Sequence, residues 1–510
     1  MSTNYKKISK NAMFLFFRMF LIMGVSFYTI RIVLNTLGVT DFGIYNLVAS
    51  FVMIIAVLNN TLASGTQRFL TFEIGKNDLI KLRQTFSSSL LVHIVLAIII
   101  LVFGETIGLW FLYSKMNIPV DRVDAAFWTY QFSLFSVMVT ITQVPYNALI
   151  IAHEKMNIFA YISILEAFLK LIIVYFLLIV SYDKLILYAI LMFIVSIIIA
   201  MSYRIYTIKN YTESHFEFIF DKEILKPMIN FSAWNLFGTI GSLASTQGIS
   251  ILLNIFFGPI ANAAHAIAMQ VNGALNQFVN NFQQAMTPTI TKLYANNKID
   301  ELNNFLNLNV KYAFLVLWII VLPIFLNLKF LLIFWLTEIP TYTMVFTQLL
   351  IIYGLLYILL RPLAMAIHAT GKNKGIQLSA GTLLILLLPI SYLLLENGLS
   401  IYSPLILSIL VWFIHISLEL YFLKKYINFS TISFLRNAIC PIIFIVTLSS
   451  LPMLYLLPYL NTGFAHFLLF SIFSFFLNSF LIYNIGLESS HKEKVKSYIF
   501  KKYKNEKATL

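Results

Sequence analysis

The chain has 510 residues, of which 60% are hydrophobic and only 11% are charged, and its mean hydropathy is +0.85. A soluble domain carries about 25% charged residues, so this composition excludes a soluble globular protein. The net charge of +14 is typical of nucleic-acid binding in a soluble chain, so the positions of the charges must decide its meaning here.

Apolar blocks follow one another along the whole chain, bounded by charged residues, Pro and Gly. Each has about 20 residues or more, the length that crosses a hydrocarbon core of about 30 Å. They predict fourteen transmembrane helices, numbered in chain order, at 11–34, 42–66, 84–112, 126–151, 158–181, 185–207, 228–257, 260–290, 305–327, 343–369, 376–395, 402–423, 436–457 and 464–485.

The basic residues indicate the orientation of these helices. With the N-terminus in the cytoplasm, 28 of the 35 Lys and Arg fall in cytoplasmic segments, 4 in outer loops and 3 within helices. Cytoplasmic loops of membrane proteins carry this excess of Lys and Arg. We therefore expect a multi-pass protein with both termini in the cytoplasm, and we assign the positive charge to orientation and not to nucleic acid.

Two stretches of the chain resemble each other at a spacing of about 220 residues. Gly38 is followed by NNTLASGT at 59–66, and Gly258 is followed by NNFQQAMT at 280–287. Because six helices separate the copies, both have the same orientation, which is a parallel repeat. The predicted fold is an all-α membrane protein with six plus six helices and two more at the end. Its predicted domains are an N-terminal lobe at 1–208, a cytoplasmic linker at 209–227, a C-terminal lobe at 228–423, two added helices at 424–485 and a basic tail at 486–510.

Two helices carry a polar face when they are projected at about 100° per residue. On helix 8 this face contains His265, Asn272, Asn276, Asn280 and Gln283. On helix 4 it contains Thr129, Ser133, Ser136, Thr140, Gln143 and Asn147. Interhelical hydrogen bonding explains one or two such residues. Nine amides on helix 8 favour a hydrophilic lumen. Amides and hydroxyls suit neutral, hydroxyl-rich material such as sugar.

Several charged or titratable residues lie within the predicted helices. Arg18 has no partner on helix 1 and is a candidate contact for an anionic headgroup. Arg31 can serve the same role or extend to the outer interface. Glu166 and Lys170 are four residues apart, so they form either a structural ion pair or part of an ion-coupling site. His265 is either a proton site or a hydrogen-bonded structural histidine.

The sequence contains no nucleophile elbow, no Gly-rich phosphate loop and no pair of catalytic carboxylates. Five of its eight histidines lie within predicted helices, one on each of five helices, without metal-ligand spacing. We therefore expect no catalytic residue, no metal and no cofactor.

The stretch at 9–78 resembles the opening of the polysaccharide biosynthesis transporters. These are the Wzx-type O-antigen flippases of the multidrug, oligosaccharidyl-lipid and polysaccharide exporter (MOP) superfamily, to which the MATE transporters also belong. The residues that carry the resemblance are Leu37, Gly38, Gly43 and Tyr45, followed by Thr66, Gln67 and Arg68.

This resemblance implies a MATE-like fold and a flippase in the bacterial cytoplasmic membrane. The implied cargo is an undecaprenyl-pyrophosphate-linked oligosaccharide, moved from the inner to the outer leaflet by alternating access and coupled to H⁺ or Na⁺. Arg18, Arg31 and Lys170 would contact the pyrophosphate, and the polar lumen would contact the sugars. Drug-exporting relatives have an acidic residue in helix 1 that is absent here, which leaves Glu166 and His265 as candidates for ion coupling.

The two related turns, between helices 1 and 2 and between helices 7 and 8, are predicted to form the rim of an outer gate. Their turn residues are Gly38, Gly43, Gly258 and Pro259.

Two other functions remain open from the sequence: a membrane-embedded polysaccharide polymerase or ligase, and a multidrug exporter of the same fold. The first needs a large extramembrane loop, and the second a cavity richer in carboxylates. For the flippase we expect a monomer in contact with the lipid-linked oligosaccharide, membrane lipids, a polysaccharide polymerase and a chain-length regulator, and no nucleic acid.

Overall fold

The computed structural model describes residues 2–76, 78–153, 155–218, 238–336, 338–372, 374–459, 463–488 and 492–493. Side chains of these residues are described from residue 21 onward, except at 55, 57–61, 64, 68, 281, 284, 285, 288 and 459. The described residues form α-helices with short π and 3₁₀ turns and no strand.

Fourteen long helices follow one another in the described part of the chain. In order they are α1 (Ser2–Ile55), α2 (Val57–Lys76), α3 (Leu79–Ser114), α4 (Val120–Ala152), α5 (Met156–Ile179), α6 (Lys184–Asn210), α7 (Gly238–Phe257), α8 (Pro259–Ala295), α9 (Ile299–Leu326), α10 (Thr343–Thr370), α11 (Lys374–Glu396), α12 (Ser403–Ile427), α13 (Thr431–Leu456) and α14 (Phe464–Gly486). A short helix, Leu328–Trp335, follows α9. Twelve of the described helices are long and apolar enough to cross a membrane. The predicted all-α membrane fold is therefore confirmed.

Helices α2 and α8 are the two that are too polar for that criterion. They contain the related stretches at 59–66 and 280–287, which define the sequence repeat and are rich in amides and hydroxyls. In each copy of the repeat, the most polar helix thus follows the equivalent glycine, Gly38 or Gly258.

The two predicted outer turns are tight connections at single glycines. Within α1 two helices meet at a kink at Gly38, the residue of the predicted turn between helices 1 and 2, and only Gly38 lies outside helical geometry there, at φ 78° and ψ 168°. Gly258 joins α7 to α8 with nearly the same geometry, φ 76° and ψ −171°. Side-chain-bearing residues are strained at such φ values, so glycine is required at both positions. The matching backbone at matching places agrees with the parallel repeat.

By its contacts the chain divides into two compact units. The first unit comprises Met1–Gln270, Leu336–Phe346 and Gln377–Ser408, and the second comprises Val271–Trp335, Thr347–Ile376 and Ile409–Leu510. This division falls within α8, α10, α11 and α12. The lobe boundaries predicted from the sequence stay a prediction.

In the first unit, α3 and α4 pack closely around a buried tyrosine. The hydroxyl of Tyr130 donates to the carbonyl oxygen of Gly104 (2.8 Å), and a Cβ at Gly108 would overlap that hydroxyl. The part of the predicted linker that is described also packs on this unit. Nε2 of His153 lies 2.7 Å from Oε1 of Glu213, and the ring of Tyr211 stacks on the imidazole at 4.2 Å.

In the second unit, the two added helices pack on α9 and the short helix after it. The indole of Trp318 donates to Ser449 of α13 (3.0 Å), and the ring of Phe330 lies 6.0 Å from that of Phe467 in α14. The added helices are therefore attached to the bundle of the second unit.

Candidate functional site

A cavity of about 270 Å³ lies within the first unit, between α1, α4, α5 and α6. Apolar side chains form part of its wall. Its polar lining consists of Tyr45, Ser133, Ser136, Thr140, Gln143, Glu166, Lys170 and Ser196. We call it the first cavity.

Four of the six polar residues predicted on helix 4 line the first cavity, because they share one face of α4 at helical spacing. The other two do not line it. Thr129 is fully buried and donates to the carbonyl oxygen of Ala125 (2.8 Å). Asn147 has a buried Oδ1 without a hydrogen-bond partner among the described residues. The periodicity identifies the face, but neighbouring helices decide which part of it borders a cavity.

The hydroxyls of the first cavity bond to their own helix. Ser136 donates to the carbonyl oxygen of Phe132 (2.8 Å), and Thr140 donates to that of Ser136 (2.8 Å). Since each hydroxyl uses its proton in this way, its oxygen lone pairs remain as acceptors. Gln143 adds a group that both donates and accepts. These groups can accept hydrogen bonds from the hydroxyls of a sugar.

The charges of the first cavity neutralise each other. Nζ of Lys170 lies 2.6 Å from Oε1 of Glu166, and the two side chains are 37% and 40% exposed. The ion pair predicted from the spacing is thus formed. Whether it also couples an ion stays a prediction.

An ion network joins α1, α4 and the start of α6 in the same unit. Arg122 donates to both carboxylate oxygens of Asp41 (2.8 and 2.5 Å) and also to Asp183 (2.7 Å). Burial opposes ionisation of Asp183, but hydrogen bonds from Arg122 and from the backbone N–H of Ile186 and Leu185 outweigh it and hold the pKa of this carboxyl below its usual range. Arg122 lies in the predicted outer loop between helices 3 and 4, and its partners are distant in the chain, so no local pattern predicts this network.

The residues after the two glycine connections contact each other within the first unit. A Cβ at Gly43 would overlap the carbonyl oxygen of Pro259, so the backbones touch there. Ser50 donates to Ser250 (3.3 Å), whose oxygen also accepts from the amide of Asn262 (3.0 Å). The predicted gate residues Gly43 and Pro259 are thus brought together. Their movement in transport stays a prediction.

The second unit contains a larger cavity of about 740 Å³. Its lining comes from α8 and α10 and consists of Asn280, Thr287, Thr291, Lys292, Ala295, Arg361 and Met365. We call it the second cavity. Asn280, predicted to line a lumen, lies here, and its Oδ1 accepts a hydrogen bond from Tyr357 (3.1 Å).

The other residues predicted on the polar face of helix 8 lie elsewhere. Gln283 is buried and exchanges hydrogen bonds with Asn309 (3.4 and 3.2 Å), which is the interhelical bonding that the sequence left open. Asn272 and Asn276 have buried Oδ1 atoms without a partner among the described residues. His265 is buried with its ring edge against Phe346 at 6.2 Å. The continuous lumen stays a prediction.

The predicted cations of helix 1 remain untested by these contacts. The side chain of Arg18 lies outside the described residues. Arg31 is exposed and forms no ion pair with a described residue. Among the described residues there is also no group of three or more His, Cys, Asp or Glu that could hold a metal ion.

These helices have the fold of the MOP superfamily transporters. The chain is similar to the lipid II flippase MurJ in an inward closed conformation, with 14% identity and a TM-score of 0.68 over 93% of this chain and 98% of that chain. It is similar to a multidrug resistance MATE family transporter in an inward-facing conformation, with 15% identity and a TM-score of 0.62 over 79% of this chain and 94% of that chain. It is also similar to a MOP superfamily transporter from Pyrococcus furiosus, with 15% identity and a TM-score of 0.57 over 82% of this chain and 96% of that chain.

The family of the protein is identified by a sequence match that is longer than the stretch at 9–78. The model of a family described as polysaccharide biosynthesis protein matches residues 8–294, more than half of the chain. The protein belongs to this polysaccharide biosynthesis family, which confirms the predicted membership. No curated protein matches the chain.

Proposed function

We propose that the protein is a flippase that moves a lipid-linked oligosaccharide from the inner to the outer leaflet of the bacterial cytoplasmic membrane. The cargo is a repeat unit of O-antigen or of a similar surface polysaccharide on undecaprenyl pyrophosphate. The observation that carries this proposal is the first cavity, a space lined by hydroxyls and an amide inside a membrane helix bundle of a polysaccharide biosynthesis family.

The chemistry of the first cavity suits a cargo that must be released again. Ser136, Thr140 and Gln143 offer several hydrogen bonds, each worth about 0.5–1.5 kcal/mol. A sugar bound by such groups is held by many weak contacts, and none of them prevents release. The cavity of about 270 Å³ holds a part of an oligosaccharide and not the whole repeat unit.

The same lining supports transport and not bond formation. Its charges, Glu166 and Lys170, are paired with each other, and among the described residues neither forms a hydrogen bond with a serine that it would activate. Coupling to H⁺ or Na⁺ requires a group that can bind and release the ion. Glu166 and His265 are the candidates for that role, and Arg18 stays a candidate contact for the cargo in helix 1.

A deletion strain tests the proposed function. Without the gene, lipid-linked repeat units should accumulate on the cytoplasmic leaflet and the surface glycan should be lost, and a plasmid copy should restore both. The measurement is labelling of the repeat units with a membrane-impermeant reagent in intact spheroplasts. If unpolymerised units still reached the outer face in the deletion strain, the polymerase or ligase alternative would be favoured instead.

A further inference from the structure

The second cavity contains two cations that the repeat and the first cavity do not explain. Lys292 lies three residues before the end of α8, and Arg361 lies nine residues before the end of α10. At about 1.5 Å per residue, Arg361 is about 14 Å of helix length from that end. Lys292 follows the predicted cytoplasmic end of helix 8, whereas Arg361 lies inside helix α10.

Arg361 has no ion-pair partner among the residues that the structure describes. Its guanidinium forms no hydrogen bond or ion pair with a described residue, and its Nε is buried without a partner among them. The guanidinium carbon lies 6.0 Å from the ring centroid of Tyr357. Buried Glu419 attracts it electrostatically, but the carboxylate lies beside His415 (3.7 Å) and forms no ion pair with Arg361. An ionisable residue inside a membrane helix is a functional candidate by default.

The two cations suit an anion with more than one negative charge. A guanidinium presents a planar set of N–H donors that matches a phosphate in a bidentate way, and a lysine ammonium adds a point charge. They come from different helices and border one cavity, so a single ligand can contact both. A pyrophosphate, whose two phosphates are adjacent, fits this arrangement better than a single carboxylate.

The remaining polar groups suit a sugar next to that anion. Thr287 donates to the carbonyl oxygen of Gln283 (2.9 Å) and Thr291 donates to that of Thr287 (3.1 Å). Their lone pairs therefore remain as acceptors for hydroxyl groups. The volume of about 740 Å³ is within the range of about 300–1,000 Å³ that ligand pockets have.

We propose that the second cavity binds the pyrophosphate of the lipid-linked cargo through Arg361 and Lys292, with the adjoining sugar against Thr287 and Thr291. This inference rests on the proposed function. It assigns the pyrophosphate to residues other than those expected from the sequence, because Lys170 is already neutralised by its own ion pair. It makes the second cavity the loading site at the predicted cytoplasmic ends of α8 and α10.

The test is binding by the purified full-length protein in nanodiscs of phosphatidylcholine. The probe is a fluorescent short-chain polyprenyl-pyrophosphate monosaccharide, and the measurement is its anisotropy. Arg361→Gln should weaken binding at least about tenfold, equivalent to about 1.4 kcal/mol, and Lys292→Gln about threefold. The matched control Lys425→Gln removes an exposed cation of the same unit that does not line the cavity and should stay within about twofold.

One further variant and two competition experiments complete the test. Arg361→Lys retains the charge without the planar donor set, so it should bind between wild type and Arg361→Gln, and it serves in place of Arg361→Gln if that variant does not fold. Inorganic pyrophosphate should compete with the probe. Wild-type affinity in Arg361→Gln would overturn the proposal, as would equal competition from nanodiscs of phosphatidylglycerol, because the site would then hold a phospholipid headgroup.

Failure of this inference is distinguishable from failure of the proposed function. If the wild-type gene restores the outer-leaflet repeat units while Arg361→Gln binds the probe normally, only the loading site is wrong. If Arg361→Gln loses binding but repeat units cross the membrane without the wild-type gene, the site stands and the flippase function is wrong.

Discussion

The two cavities differ in whether their charged residues form ion pairs. In the first cavity Glu166 and Lys170 lie on one helix and neutralise each other at 2.6 Å. In the second cavity Lys292 and Arg361 lie on two helices and neither forms an ion pair with a described residue. A neutral site with many acceptors suits sugar hydroxyls, and a site with excess positive charge suits phosphate. The proposed cargo, an oligosaccharide on a pyrophosphate, contains both kinds of group.

The largest expected effect comes from making the second cavity resemble the first. Met365 lines the cavity four residues after Arg361, so Met365→Glu introduces the i,i+4 pair that the first cavity has. The new carboxylate should compete with the ligand for Arg361 and lower glycan export about tenfold. Export is measured as surface glycan per molecule of protein in the membrane. The neutral Met365→Gln serves as control, and an equal loss in both variants would contradict the charge explanation.

A smaller effect is expected from removing the carboxylate that neutralises Lys170 in the first cavity. Glu166→Gln leaves Lys170 without its carboxylate partner, and a lone charge at the bilayer centre costs about 2.5–3.5 kcal/mol. Because the pair is partly exposed, we expect a smaller loss, about fivefold in membrane abundance by immunoblot. The exposed pair of Lys298 and Glu301 gives the control, since Glu301→Gln should change abundance less than about twofold.

The double variant Glu166→Gln with Lys170→Met separates stability from coupling. Its abundance should return to the wild-type level because no lone charge remains. Transport restored along with abundance would mean that the pair is only structural. Unchanged abundance in the single variant would contradict the account of a self-neutralised cavity.

The smallest expected effect concerns the hydroxyls of the first cavity. Combining Ser136→Ala with Thr140→Val removes two acceptors and should lower export about threefold, with abundance unchanged. Ser202→Ala is the matched control, because Ser202 also bonds to a carbonyl four residues before it (2.8 Å) but does not line the cavity. A loss in Ser202→Ala as large as in the double variant would indicate a general effect on the helices.

The features that the sequence predicted well depend on local spacing. Twelve of the fourteen described helices follow from apolar length, and the pairing of Glu166 with Lys170 follows from a separation of one helical turn. The lining of the first cavity by Ser136 follows from the polar face of one helix. Such patterns involve few residues that are close in the chain, so a single sequence contains them.

The features that the sequence did not predict depend on contacts between distant segments. Arg361 is 69 positions from Lys292, and no local pattern places both at one cavity. Arg122 is 81 positions from Asp41, so its network was not visible as a motif. Thr129 shares the polar face of its helix yet is buried by a neighbour. Tertiary packing decides these outcomes.

Reconstitution into vesicles tests whether the protein moves the lipid-linked oligosaccharide between leaflets. The purified protein is placed in vesicles that contain its lipid-linked oligosaccharide in the inner leaflet only, and the outer leaflet is probed over time with an impermeant lectin. The account predicts that lectin-accessible oligosaccharide rises with wild-type protein, rises about tenfold more slowly with Arg361→Gln, and stays at the starting level in protein-free vesicles. Equal rates in wild-type and protein-free vesicles would contradict it.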